Sequence, residues 1–146
     1  MYVQKSFSLK PAEADRKWHL IDGTDKIVGR LATEIANLLR GKKNPKYTAN
    51  TDSGDFVILL NAEKIKFTGS KWDNKNYYRH SRFIGGLSKR TAKEQLEKHP
   101  ELIMHNAVKG MLPKTSLGRL QLKKFKVVIG AEHTYQAQKP ETYEIK

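Results

Sequence analysis

The sequence predicts an α/β domain with a small, mainly parallel sheet covered on both faces. Two observations carry that reading. FVILL (Phe56–Leu60) is an unbroken apolar run of strand length and FKVVIG (Phe125–Gly130) a second run broken only by Lys126, the pattern of strands buried on both sides. Segments with helical spacing lie before and between them, so strands and helices alternate along the chain.

The elements follow in order. KWHLID (Lys17–Asp22) reads as a short strand broken by Gly23, Thr24 and Asp25. From about Val28 to Arg40, Leu31, Ile35, Leu38 and Leu39 fall on one helical face with Ala32 and Ala36 between them. Gly41 is its stop, and Arg40 and Lys42 suit the negative end of the helix dipole. A turn-rich basic loop, RGKKNPKYTANTDSG, leads to FVILL. Ile65–Thr68 reads as a further extended segment. SKWDNKNYYRHSRFIGGLSKR is basic, aromatic and without clear period. Thr91 and Glu94 have capping-box spacing and open a helix, TAKEQLEKH. Pro100 opens the next, PELIMHNAVKG, with Gly110 as its end and Pro113 preventing restart. Ser116–Lys124 reads as a short helix, FKVVIG as the last buried strand, and the remainder as a polar, extended tail. The chain is read as one domain over residues 1–146, with polar extensions at about 1–15 and 131–146.

Composition narrows the function. Leu, Ile, Val and Phe make up about 23% of the chain, above the roughly 20% below which high net charge signals disorder. There is no cysteine, so disulfides and thiolate metal sites are excluded. No apolar run approaches the ~20 residues of a membrane span, and the N-terminus lacks a signal-peptide block. The expected setting is cytoplasmic, with no membrane partner. The net charge is +13 and unevenly placed: residues 40–126 hold twenty Lys/Arg against seven Asp/Glu, whereas residues 1–39 hold six against five and residues 127–146 two against three. A one-signed excess of this kind points to a polyanion.

Other chemistry is poorly supported. Gly23 and Gly29 in GTDKIVGR fit neither dinucleotide nor P-loop spacing. Asp52 and Asp55 read as turn residues before a strand, without a third ligand for a metal. His19, His80, His99, His105 and His133 form no metal-spaced pair and no catalytic arrangement. The helices flanking KGMLPKTS invite a helix-turn-helix reading, but a link of eight residues exceeds the usual 3–4. No cofactor, metal or small-molecule substrate is expected. Tyr77, Tyr78, Arg79, His80 and Arg82, near Trp72, interleave rings and cations as stacking and phosphate-binding surfaces do.

Several stretches carry a resemblance: KPAEADRKWHLIDG, VGRLATEIANLLRGK, NTDSGDFVILLNAEKI, TGSKW, and most specifically AVKGMLPKTSLGR followed by KKFKVVIGAEHTYQAQKP. From about Phe7 to Pro140 the chain resembles the bacterial form of the ribosomal protein L-thirteen family, departing only in details such as His19, where an aromatic is common, and Gly23, where Ala is common. The resemblance implies a three-layer α/β/α domain with a four-stranded parallel sheet and no catalytic activity. It implies a structural role in the large ribosomal subunit, binding of 23S rRNA, participation in early assembly, and neighbouring large-subunit proteins as partners. The alternative is a nucleic-acid-binding regulator or a metal-dependent nucleic-acid enzyme.

Charge then selects the residues expected to face RNA. They are Arg40, Lys42, Lys43 and Lys46 in the first loop; Lys71, Tyr77, Arg79, His80 and Arg82 in the aromatic stretch; and Lys109, Lys114, Arg119, Lys123 and Lys124 further on. In that last stretch Val108, Met111, Leu117 and Leu120 are expected to anchor the segment to the domain.

Overall fold

A computed structural model describes residues 7–145. Four parallel strands form one sheet in the order β5-β2-β1-β6: β1 is Trp18–Asp22, β2 Phe56–Leu60, β5 Phe125–Val127 and β6 Glu141–Thr142. The architecture is the expected three-layer α/β/α type. β2 is central, and Val57, Ile58 and Leu59 are fully buried in succession. That is why its sequence has no polar alternation.

Helix α1 (Val28–Arg40) begins and ends where its apolar period does. Gly41 caps it at φ 74°, its N–H reaching the carbonyls of Asn37 and Leu38. A side chain at Gly41 would also press on the Ser53 carbonyl. Helix α4 (Pro100–Met111) packs with α1 against the sheet face carrying Ile21, Val57, Leu59 and Phe125. On the other face Trp18 stacks on Phe56 at 4.3 Å between ring centroids, and Tyr135 from the C-terminal segment lies over Trp18 at 5.8 Å.

Helix α3 (Ala92–Lys98) starts with the expected capping box, Thr91 accepting from the Glu94 N–H and Glu94 from the Thr91 N–H. Helix α5 (Ser116–Lys123) is capped by the Thr115 hydroxyl, which accepts from the Gly118 N–H.

The chain is extended at Ile65, as expected, after a 3-10 turn at Ala62–Lys64; it makes a single bridge between Ile27 and Lys66, and buried Ile65 pins the segment. Four local expectations are corrected. The stretch without period contains a four-residue helix, α2 (Lys71–Asn74), and an antiparallel hairpin of β3 (Asn76–His80) and β4 (Leu87–Thr91). Gly110 does not end α4, which continues to Met111 and stops before Pro113. The last apolar run is a strand only over Phe125–Val127. The polar tail supplies the fourth strand, with His19 paired to Glu141 and Leu20 to Thr142.

Candidate nucleic-acid interface

The loop after α1 is held by its Gly41 cap, which leaves Lys42 and Lys46 exposed and Arg40 half-buried. Lys43 has a different task. Its ammonium pairs with Glu34 at 2.6 Å and donates to the Tyr143 hydroxyl. The hydrogen bond to Glu34, then that to Tyr143, raises its pKa. Lys43 thus ties the loop to α1 and the C-terminal segment, and its charge is already partnered.

The hairpin presents Arg79, His80 and Arg82 to solvent. Its tip is a six-residue turn closed by the Ser81 N–H to the Gly86 carbonyl, with left-handed backbone at Arg82 and Gly85. The His80 Nδ1 accepts from the Arg82 N–H at 2.9 Å, which fixes the imidazole beside the turn. Arg79, His80, Arg82 and Arg90 line an open concavity of about 470 Å³. Tyr77 is half-buried against the core, and burial raises its pKa. It is structural rather than a free stacking ring, a correction to its assignment. Tyr78, on the opposite strand face, is the exposed ring, and Phe83 and Ile84 project from the tip.

The third cationic group lies on α4, the link and α5. Lys109, Lys114, Arg119 and Lys123 are all exposed. Lys71 on α2 lines a cavity of about 330 Å³ that also touches Asn106 of α4. Val108 is fully buried, as expected of an anchor. Met111 and Leu120 are not anchors: they are 41% and 52% exposed. Leu112, Gly118 and Gln121 take the buried positions of this segment instead.

Lys124 is the largest correction. It is 5% exposed, and its Nζ donates to Asp52 Oδ1 and the Gly54 carbonyl, each at 2.6 Å. Burial lowers its pKa while the hydrogen bond it donates to Asp52 opposes the shift. It faces inward because α5 ends at Lys123 and the turn into β5 delivers the next side chain to the loop before β2. Asp52 also meets Arg16 at 3.9 Å. Asp55 accepts from the Lys17 N–H at 3.0 Å and lies 3.2 Å from His19 Nε2. The two carboxylates therefore clamp β1, β2 and the α5–β5 turn together.

Arg30, Lys75 and Lys89 are further exposed cations outside the charge-based selection. Lys75 and Lys89 carried a readable signal, since they sit in an uninterrupted run without acid from Asn74 to Lys93. Arg30 gave none beyond its charge.

A family model described as Ribosomal protein L13 matches residues 16–134, most of the chain. The chain belongs to the ribosomal protein L13 family. It is 54% identical to "Large ribosomal subunit protein uL13" of Aquifex aeolicus, over 97% of this chain and 99% of the relative. To the proteins of the same name from Thermotoga petrophila and Neisseria gonorrhoeae it is 52% and 49% identical, covering 98% and 97% of this chain and 96% and 99% of theirs. The family is one of structural ribosomal proteins, not known to be enzymatic. The link between α4 and α5 spans only residues 112–115, so its length does not argue against a helix-turn-helix motif as the sequence suggested. Among the described residues no helix is long and apolar enough to cross a membrane.

Proposed function

We propose that this chain is a structural component of the large ribosomal subunit that binds large-subunit rRNA, joins the subunit early in its assembly and sits among neighbouring ribosomal proteins. One observation supports rRNA binding above the others: exposed cations cluster on the α1 loop, the hairpin and the α4–α5 segment, while several acids are engaged within the fold. Such cations bind phosphate and release counterions. The family relationship supports the subunit and the assembly role.

Titrating deproteinised large-subunit rRNA with the protein at several salt concentrations tests this. With about 6–10 phosphates neutralised, affinity falls roughly 10³–10⁵-fold between ~50 and ~200 mM salt. A flat response rejects it. A DNA-binding regulator is the second reading, favoured by the short α4–α5 link. A parallel titration with duplex DNA separates the two, because a regulator of that kind prefers the DNA.

A further inference from the structure

The turn from α4 into α5 encloses a cleft of about 400 Å³, a size at the lower end of ligand pockets. Its surface has two chemically distinct parts. Leu112 and Pro113 supply an apolar floor, and Lys109, Lys114 and Arg119 stand around it. None of the residues lining it is acidic.

The cleft has a fixed shape. Gly118 lies so close to the link that a Cβ there would overlap the Pro113 carbonyl oxygen. Its N–H is held by the Thr115 hydroxyl at 3.2 Å. These contacts hold α5 down on the link and keep the two cleft walls at a set separation. Gly110 leaves one wall open, since a Cβ there would meet nothing within 4 Å. Asn106 lies between this cleft and the neighbouring cavity that carries Lys71 and Lys75, so cationic surface continues past the cleft on that side.

A flat basic patch suffices to hold a duplex backbone. A concave apolar floor ringed by cations fits something else: a planar apolar group with negative charge on either side. An unstacked nucleotide has that form, because its base presents a π-face and its flanking phosphates are anionic. We propose that the α4–α5 cleft receives one unstacked base of rRNA. The base lies on Leu112 and Pro113, the Asn106 carboxamide offers both a donor and an acceptor to its edge, and Lys109, Lys114 and Arg119 hold the adjoining phosphates. This rests on the rRNA-binding reading above and adds to it a specific mode of contact.

The test uses the full chain bound to deproteinised large-subunit rRNA. Hydroxyl-radical cleavage reads backbone protection, and dimethyl sulfate with carbodiimide reads base protection. Gly110→Leu places a side chain in the cleft mouth, and Leu suits a helix better than Gly. Asn106→Leu narrows the cleft from beside it and decides the matter should Gly110→Leu alter thermal melting. The parent protein is expected to protect backbone and at least one unpaired base, and the variants to lose that base protection. Backbone protection without any base protected, or base protection that survives both variants, overturns the cleft assignment and leaves rRNA binding standing. Absence of backbone protection by the parent overturns both.

Discussion

Lys124 and Lys114 are the same residue type ten positions apart, with opposite roles. Lys114 is exposed beside the α4–α5 cleft, whereas Lys124 is buried against Asp52 and the Gly54 carbonyl. Removing one partner of a buried pair strands the other, at a cost of about 3–5 kcal/mol. Lys124→Ala is expected toward the lower end, about 3 kcal/mol, because Asp52 keeps some contact with water. Replacing Lys114 and Arg119 with Gln is expected to leave stability nearly unchanged, since exposed charges contribute little. Urea unfolding of the two proteins checks this, and equal destabilisation would contradict it. Asp55 gives a pH signature. Burial pulls its pKa up, but hydrogen bonds from His19 and the Lys17 N–H outweigh it, and the net shift is downward. A carboxyl with a lowered folded pKa contributes stability above its unfolded pKa and loses it as pH falls through the folded value. Asp55→Asn should therefore be less stable than the parent at neutral pH, with the gap closing in the acidic carboxylate range. A gap of the same size at low pH would assign the effect to shape rather than charge.

At the level of elements, legibility followed burial. α1 and β2 were readable to their ends because one has a continuous buried stripe bounded by Gly41 and the other is buried on both sides. The hairpin was not, because Tyr78, Arg79, His80, Leu87, Ser88 and Lys89 are all exposed, and a ribbon bare on both faces over its outer half writes no alternation into its sequence. β6 was hidden for another reason. It is two polar residues on a sheet edge, and only its pairing with β1 defines it. The cation assignments divide in the same way. Members such as Lys42, Lys46, Arg79, Lys109 and Arg119 are exposed, as an outward-facing cation must be. Lys43 and Lys124 are instead held by partners, Tyr143 and Asp52, that are distant in sequence. The tail offers a test. Tyr143 packs on the core beside His19 at 5.5 Å between rings, and Tyr135 covers Trp18. Ending the chain after Gly130 removes both. Loss of at least about 2 kcal/mol is expected from uncovered apolar surface, seen as a melting point lower by roughly 4–8 °C. An unchanged melting curve would make the tail an appendage.

Over the whole molecule, charge is sorted as well as abundant. Of the +13 net charge, the cations of the α1 loop, the hairpin and the α4–α5 segment remain largely free. Asp52, Asp55 and Glu34 are held by Lys124, Arg16, His19 and Lys43. The fold thus turns these three acids toward its own joints and leaves the basic groups of those segments for a polyanion. This sorting explains how so cationic a chain still closes a core around α1, α4 and β2. It also separates two properties that mutation can address independently, stability in the inner clamp and rRNA affinity on the outer groups. The most direct measurement is sedimentation of cell lysate containing a variant with Lys42, Lys46, Arg79, Arg82, Lys114 and Arg119 all changed to Gln. All six are exposed, so the purified variant should melt close to the parent. In the lysate it should remain with free proteins at the top of the gradient while the parent travels with large subunits. A folded variant that enters large subunits as fully as the parent would contradict the claim that these cations bind rRNA.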